Sequence, residues 1–348
     1  MTARGRCSAL VLGTVGLLAF VAAACGEGSG TLGIPPESTV TTTTLPIVRG
    51  VVGSAAGGAY LALGPVKRVS VLPVVPGRVA PRLLADGTMG AASTKIAFRR
   101  FGSGPNLLLI TGEHGSLTSW DPEVLLELGL YYRVTVFDLP GVGYSQPSGR
   151  TASLSSLADV TAGLIWSLGL TRPTVLGWGF GGEIAMALVE RHPGLVWRLV
   201  LADAMAGGSA SFRPAETVAQ TLASPLATTE EISRLFFPTR AQTARASWLA
   251  DVGQLSPDDL TGPAIEAQGA LVGRSYRDNA VARDLGRIKI PSLILAGSED
   301  EVVPVANSRE LSLRIARSRL IIFSGAGYAS IFQYAPDFVD ALTTFTSS

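Results

Sequence analysis

The sequence predicts an α/β fold built on a mostly parallel, doubly wound sheet, and three observations support this prediction. From about residue 92, short apolar runs alternate with helical patterns, which is typical of strands that helices cover on both faces. One of these runs, Thr174–Gly177, passes through a glycine-rich turn directly into a helix. A long, proline-divided helical stretch at about residues 204–289 then separates two of the runs. We expect it to form a cap inserted after the strand that ends at Asp203.

Each predicted strand is a short, continuous apolar run, and each predicted helix is an amphipathic stretch between two such runs. The strands are Asn106–Thr111, Arg133–Asp138, Thr174–Gly177, Arg198–Asp203, Ser292–Gly297 and Arg319–Ser324. The helical patterns lie near Val124–Leu128, Leu154–Leu168, Gly182–Arg191, Ala306–Ile315 and Pro336–Phe345. Together these elements place the folded domain, with its cap, at residues 92–348.

Composition limits the classes of function. Hydrophobic residues make up 47% of the 348 residues and charged residues 16%, which suits a globular protein with a sizeable core. The formal net charge is +1, so electrostatics give no reason to expect a nucleic acid as partner. The glycines of Gly177–Gly182 lack the lysine of a phosphate-binding loop, and the sequence shows no metal-ligand cluster. We therefore expect neither a cofactor nor a metal ion.

Residues 1–24 have the organisation of a signal peptide. Arg4 and Arg6 form its positive region, and Leu10–Ala24 forms an apolar segment that is short for a membrane span. The three alanines at its end, Ala22–Ala24, form a small-residue cleavage site. The segment therefore predicts export of the mature protein.

Cys25 immediately follows this cleavage site. The run Val21–Cys25 resembles the lipobox of bacterial lipoproteins, in which the first mature residue is a lipid-modified cysteine. An ordinary secretory signal with an incidental cysteine is the alternative. The chain has two cysteines, and the other, Cys7, lies inside the signal, so Cys25 has no partner for a disulfide framework. This favours lipidation of Cys25 on the extracytoplasmic face of a bacterial cell membrane.

Two further segments precede the domain. Residues 25–47 are rich in Gly, Ser, Thr and Pro, and this composition predicts an extended tether between the lipid and the domain. Residues 48–91 contain apolar runs that prolines interrupt. Either an added strand or a packing arm is compatible with that pattern, and the sequence leaves this segment unassigned.

From about Thr94 to Phe345 the chain resembles the α/β-hydrolase superfamily of the AB hydrolase-1 type, because five motifs occur in the family's order. They are GSGPNLLLITG before the oxyanion loop, WDPEVLLELGLYYRVTVFDLPGVGYSQP with its helix, strand and turn, VLGWGFGGEIAMALVERHP at the nucleophile elbow, PSLILAGSEDEVVP at the acid loop and LIIFSGAGYASIFQYAPDFVDAL at the histidine loop. The resemblance implies an α/β-hydrolase fold.

The resemblance also identifies the positions of a Ser–His–acid triad, and only one of them has the expected side chain. Gly179 stands at the position of the nucleophile, Tyr328 at that of the histidine, and Asp300 at that of the acid. An unperturbed phenol with a pKa of about 10 is a poor base at neutral pH. Ser145 and Ser330 are better explained as turn or packing residues than as replacement nucleophiles. The pattern predicts a triad-degenerate member of the family.

The remaining site residues are predicted from their place near the elbow. Gly112, Glu113 and His114 lie where the family has its oxyanion loop, and His114-Gly115 or Thr111-Gly112 replaces the usual His-Gly pair. A structural hydrogen bond is the favoured role for His114, and ligand contact is the alternative. His192, at the end of the elbow helix, is interpreted as structural. Trp178 and Phe180 flank Gly179 and are expected to line an apolar pocket.

Three functions follow from this pattern. The favoured one is a non-catalytic, surface-anchored binding module for a small apolar or ester-like ligand or for a protein partner. The alternative is an α/β-hydrolase-family enzyme with a non-standard site, either an ester hydrolase or a lyase-like or oxygenase-like enzyme that does not need the triad. The third is a purely structural protein of the cell envelope.

Overall fold

The computed structural model describes residues 70–74, 94–113, 115–147, 152–224, 226–252 and 262–348, with backbone alone at 70–74, 252 and 262–265. The predicted signal peptide, Cys25, the tether, most of the segment 48–91 and His114 lie outside the described residues. Within these ranges, no helix combines the length and the apolar character that crossing a bilayer requires.

The sheet has eight strands in the order β1-β2-β4-β3-β5-β6-β7-β8. The pairs β1–β2 and β2–β4 are antiparallel, and all pairs from β4 to β8 are parallel. The strands are β1 Ser70–Val74, β2 Thr94–Phe101, β3 Asn106–Ile110, β4 Arg133–Phe137, β5 Thr174–Trp178, β6 Arg198–Ala202, β7 Ser292–Gly297 and β8 Ser318–Phe323. The predicted fold class, a mostly parallel sheet of the α/β type, is confirmed.

Helices cover both faces of the sheet. Outside the cap they are α1 Pro122–Tyr131, α2 Leu154–Ser167, α3 Phe180–Arg191, α9 Ala306–Arg314, α10 Ser330–Gln333 and α11 Ala335–Ser347. Alternate residues of β3 belong to two separate buried clusters, with Leu107 and Leu109 on one face and Leu108 and Ile110 on the other. Because both faces are buried, the strand is apolar throughout, and this explains why its sequence is a continuous run.

The cap lies between β6 and β7, as its position in the sequence predicts. Its α-helices are α4 Glu216–Ala223, α5 Thr229–Phe236, α6 Gln242–Val252, α7 Gly262–Ser275 and α8 Ala280–Asp284, with short 3-10 helices at Thr239–Ala241 and Leu285–Arg287. The helix α5 begins at a capping box in which Thr228 and Glu231 satisfy each other's backbone N–H groups. The described residues of the insertion are thus mainly helical, and Phe236 of α5 packs against Tyr328 in the loop after β8.

The sequence did not predict β2, and for residues 48–91 it left open an added strand or a packing arm. The strand β2 carries Lys95, Arg99 and Arg100, so it lacks a continuous apolar run; it pairs antiparallel with β1 and β4. Residues 70–74 of the unassigned N-terminal segment form β1 at the edge of the sheet. In β2 the central residues Ile96 and Ala97 are buried on opposite faces, whereas the exposed side chains of Lys95 and Arg100 lie near its two ends.

Candidate functional site

The turn from β5 into α3 has the sharp geometry of a nucleophile elbow. Gly179 follows the last residue of β5 and precedes the first residue of α3, with φ 54° and ψ −121°. This conformation is strongly unfavourable for residues that carry a Cβ, and glycine adopts it freely. A Cβ on Gly181 would lie 2.6 Å from the carbonyl oxygen of Thr111, so glycine there permits the close approach of α3 to β3. The elbow backbone is therefore present, with no side chain at its apex.

The side chain of Tyr328 occupies the space above Gly179. A Cβ placed on Gly179 would lie 2.7 Å from Cζ of Tyr328 and would overlap its hydroxyl oxygen. A Cβ on Gly112 would also lie 2.7 Å from that oxygen. The Tyr328 hydroxyl thus lies between the elbow and the loop that follows β3. In an enzyme of this family, the side chain of the nucleophile would need this volume.

Tyr328 is fixed by a cluster of aromatic rings that joins the sheet to the cap. Its ring centroid lies 5.0 Å from that of Trp178 and 4.9 Å from that of Phe236 on α5. Its carbonyl oxygen accepts a 2.9 Å hydrogen bond from Nε1 of Trp178. Burial raises the pKa of the Tyr328 phenol well above its ordinary value, and the negative charge of Glu113 acts in the same direction. The phenol therefore remains protonated at neutral pH.

Asp300 lies in the loop after β7, where the resemblance places the acid. Its Oδ1 accepts hydrogen bonds of 2.8 Å from the backbone N–H groups of Val302 and Val303. Its Oδ2 is buried and has no hydrogen-bond partner among the described residues. Burial, together with the nearby carboxyl of Asp203, raises the pKa of Asp300 well above its usual range. Its carboxyl therefore orients no base among the described residues.

His192 lies in a different environment, at the end of α3. Its Nε2 lies 2.8 Å from Oδ1 of Asp159, and its ring packs edge-on against Trp166. The surroundings of His192 are those of a structural side chain that joins α2 to α3. His114 lies outside the described residues.

Asp203, the residue after β6, was predicted from the sequence as the end of a strand and not as a residue of the site. It is fully buried and has φ 47°, which is unusual for a residue with a Cβ. Its carboxyl accepts a 2.9 Å hydrogen bond from N–H of Gly297 and a 2.7 Å hydrogen bond from the hydroxyl of Ser330. Burial raises the pKa of Asp203 to about 8. The signal in the sequence was an acid directly at the end of an apolar run.

The hydrogen bond to Asp203 also explains the role of Ser330. Its hydroxyl is fully buried and donates its proton to Asp203, so it links the loop after β8 to β6. A serine that donates to a buried carboxyl, with no imidazole among its described partners, is a structural residue rather than an activated nucleophile.

A cavity of ≈ 240 Å³ lies between the elbow and the cap helices α4 and α7. Four of the residues singled out from the sequence line it, namely Glu113, Gly179, Phe180 and Tyr328. Trp178, Gly112 and Asp300 are not among its described lining residues. The indole of Trp178 instead packs in the core against Trp120 and Phe332, on the same face of the sheet as Leu176. A second, more open depression of ≈ 430 Å³ adjoins Ser153 and Arg274 and does not include Gly179.

The cavity wall also contains Glu183, which sequence analysis did not single out. This residue lies one turn into α3, and its side chain is fully buried. Oε1 contacts the hydroxyl of Ser275 at 3.2 Å, whereas Oε2 has no hydrogen-bond partner among the described residues. Burial, reinforced by the charge of Glu113, raises the pKa of Glu183 to about 8. Glu183 is thus a carboxyl buried beside the cavity with one free oxygen.

The family described as the alpha/beta hydrolase fold matches residues 105–333 of the chain. The chain belongs to the α/β-hydrolase fold family. This match includes the elbow, the cap and the loops that carry Asp300 and Tyr328. Within the described part of the chain, no group of three or more His, Cys, Asp or Glu side chains is arranged to hold a metal ion.

Relatives of this α/β-hydrolase-fold chain include proteins named as enzymes. The pimeloyl-[acyl-carrier protein] methyl ester esterase of Vibrio campbellii is 28% identical over 68% of this chain and 92% of that protein. The AB hydrolase superfamily protein YisY of Bacillus subtilis is 25% identical over 62% of this chain and 82% of its own. The crystal structure of the esterase RhEst1 from Rhodococcus sp. ECU1013 covers 80% of this chain and 99% of its own, with a TM-score of 0.64 and 24% identity. This last similarity concerns the fold alone.

Proposed function

We propose that this α/β-hydrolase-fold domain binds a small ligand in the cavity above Gly179 and does not hydrolyse it. The observation that carries the proposal is the hydroxyl of Tyr328, which fills the volume that a nucleophile's side chain at position 179 would need. A triad requires a nucleophile, a base and an orienting acid, and of these the described site contains the acid alone, at Asp300. The domain is a pseudoenzyme: it lacks the catalytic groups of the family and retains a cavity that binds a ligand.

The size of the catalytic loss supports this proposal. In a triad enzyme, removal of the nucleophile or the base alone costs roughly 10⁶ in turnover. Here glycine and a buried, protonated tyrosine stand at both positions. The lined cavity favours ligand binding over a purely structural role, because a solidly packed domain would have no such space. The Phe180, Met205 and Leu222 side chains in the wall favour a small ligand with an apolar part.

The enzymatic alternative draws its support from the relatives, since several are named as esterases or hydrolases. A direct assay distinguishes it from the binding proposal. We expect purified wild-type protein to show no covalent labelling by a fluorophosphonate and negligible turnover of short activated esters. The matched positive control is Gly179→Ser combined with Tyr328→His, which would place a nucleophile and a base beside Asp300 and should acquire labelling. Ester hydrolysis by the wild type that survives rigorous purification, at a turnover typical of enzymes, would refute the proposal.

We further propose that the mature protein is anchored at the extracytoplasmic face of a bacterial membrane through a lipid on Cys25. The cysteine directly after a small-residue cleavage site supports this part of the proposal. A diacylated cysteine holds a protein at a membrane more stably than one acyl chain does.

The anchor can be tested separately from the site. We expect wild-type protein to partition into the detergent phase and to carry the mass of a lipid on Cys25, whereas Cys25→Ser should lose that modification. Urea denaturation serves as the control, because Cys25 lies far from the folded domain in sequence and the substitution should leave the stability of that domain unchanged. A soluble mature wild-type protein with a free thiol at Cys25 would rule the anchor out.

A further inference from the structure

The cavity above Gly179 has an unusual balance of charge for an apolar pocket. Among its described lining residues, three have carboxyl side chains, Glu113, Glu183 and Glu216, and one has a guanidinium, Arg213. Two aromatic rings, Tyr276 and Tyr328, complete the polar part of the wall. Carboxyl groups beside aromatic faces form the environment that binds organic cations.

Among these charged residues, Glu183 offers a specific contact for a bound group. Its side chain is 0% exposed and borders the cavity, and its Oε2 has no hydrogen-bond partner among the described residues. A buried polar atom without a partner costs free energy that a bound group could recover. Oε2 is an acceptor, so the group that satisfies it must donate a hydrogen bond.

The surroundings of Glu183 allow it to carry a proton when the cavity is empty and to lose it when a cation binds. The Ser275 hydroxyl lies 2.9 Å from the carbonyl oxygen of Val272 and 3.2 Å from Oε1 of Glu183. Because a hydroxyl has one proton, it donates to one of these oxygens at a time. With Glu183 protonated, the carboxyl donates to Ser275; with Glu183 ionised, Ser275 turns and donates to Oε1. Both protonation states are therefore accommodated without moving α3 or α7.

The aromatic wall already holds one cation. The guanidinium carbon of Arg213, an exposed side chain at the rim of the cavity, lies 4.6 Å from the centroid of the Tyr276 ring. The ring of Tyr276 is itself buried at the end of α7, next to the segment that carries Ser275. The cation–π contact shows that this wall accepts a positive group at close range.

We propose that the ligand of this cavity is a small primary amine. A local side-chain movement in the cavity wall exposes Oε2 of Glu183, and the ammonium group then donates to it beside Glu113 and the Tyr276 ring, while the apolar body contacts Phe180 and Val272. The inference rests on the proposed binding function and specifies its ligand class. The volume of ≈ 240 Å³ restricts that class to compact molecules.

The effect of the ligand's charge can be separated from the effect of its size with two probes of similar size, the charged cyclohexylamine and the neutral cyclohexanol. Each is titrated into the full-length protein and its binding is measured by calorimetry. We expect cyclohexylamine to bind about tenfold more tightly than cyclohexanol at pH 8.5, because a charged donor forms the stronger hydrogen bond with a carboxylate. Equal affinities for the two probes, or no detectable binding of the amine, would overturn the cation inference.

The pH dependence identifies the carboxyl responsible. The pKa of Glu183 is about 8 in the empty site, so raising the pH from 6.5 to 8.5 ionises it and should tighten amine binding by about tenfold. The amine itself remains charged, since alkyl amines resemble lysine with a pKa of about 10.4. The other groups facing Glu183 are Glu113, Asp278 and Tyr276. The pKa of Tyr276 is raised further by burial, so its phenol stays neutral throughout this range.

Two variants complete the test. Glu183→Gln should abolish the pH dependence and weaken amine binding about tenfold at pH 8.5. Glu190→Gln is the matched control, because Glu190 lies on the same helix with a pKa also raised to about 8 by burial, and it does not border the cavity. Unchanged amine binding in a folded Glu183→Gln protein would refute the assignment. Such an outcome would leave the non-catalytic function intact, since that depends on fluorophosphonate labelling of the wild type.

Discussion

Gly179→Ser is expected to lower the free energy of unfolding by about 3 kcal/mol, from backbone strain and from overlap with Tyr328. The φ of 54° at Gly179 becomes costly as soon as the residue carries a Cβ. The new Cβ would also meet the hydroxyl and Cζ of Tyr328, whose ring is held between Trp178 and Phe236. Urea denaturation followed by tryptophan fluorescence measures the loss.

A double-mutant cycle separates the two contributions. Combined with Tyr328→Leu, which shortens the side chain above the elbow, Gly179→Ser should cost at least about 1 kcal/mol less than it does alone. Gly169→Ser is the control for strain, because Gly169 has φ 61° and a Cβ there would meet no atom within 4 Å. If Gly179→Ser costs no more than Gly169→Ser, then Tyr328 does not fill the nucleophile's place.

Stability is expected to fall as the pH rises from 5 to 8, by on the order of 4 kcal/mol in total. Burial raises the pKa of Glu183 and of Asp203 to about 8 in the folded protein, from ordinary values of 4.5 and 3.8. At pH values between the ordinary and the raised pKa, both carboxyls are ionised in the unfolded chain and protonated in the folded chain. Each pH increment therefore favours unfolding until the folded groups ionise as well. The raised pKa of Asp300 acts in the same direction.

Urea denaturation at pH 5, 6.5 and 8 tests this expectation. Glu183→Gln and Asp203→Asn should each reduce the slope, since neither amide titrates. Glu230→Gln should leave it unchanged, because the hydrogen bond from Arg245 lowers the pKa of the exposed Glu230 and places its titration below this window. A stability that is constant or rises across the window would contradict the buried, protonated state of both carboxyls.

The parallel part of the fold could be predicted from sequence because burial on both faces produces continuous apolar runs. The strands β5, β6 and β7 are buried at every residue, and their predicted bounds agree with the structure to within one residue. The antiparallel strand β2 was not predicted from the sequence because Lys95, Arg99 and Arg100 interrupt its apolar pattern. Its assignment depends on pairing with β1 and β4, which are distant in sequence.

Within the site, motif spacing located the elbow and the two loops that face it, and it could not reveal which side chains occupy the space between them. That the Tyr328 ring lies over Gly179 follows from packing against Trp178 and Phe236, two contacts made over long sequence separations. Glu183 was overlooked because a glutamate on an amphipathic helix is ordinarily solvated. Residues distant in sequence, Ser275 on α7 and Gly207 in the loop after β6, lie against its carboxyl and make Glu183 a buried group.

Residues 179 and 328 share a single volume, and this makes the order of evolutionary substitutions matter. A serine that returned to position 179 first would collide with Tyr328. A histidine that replaced Tyr328 first would leave a void among Trp178 and Phe236 and would have no hydroxyl to activate. Each single step is therefore expected to lower stability without providing both a nucleophile and a base. In a chain that carries this glycine and this tyrosine together, a complete triad requires both substitutions at once.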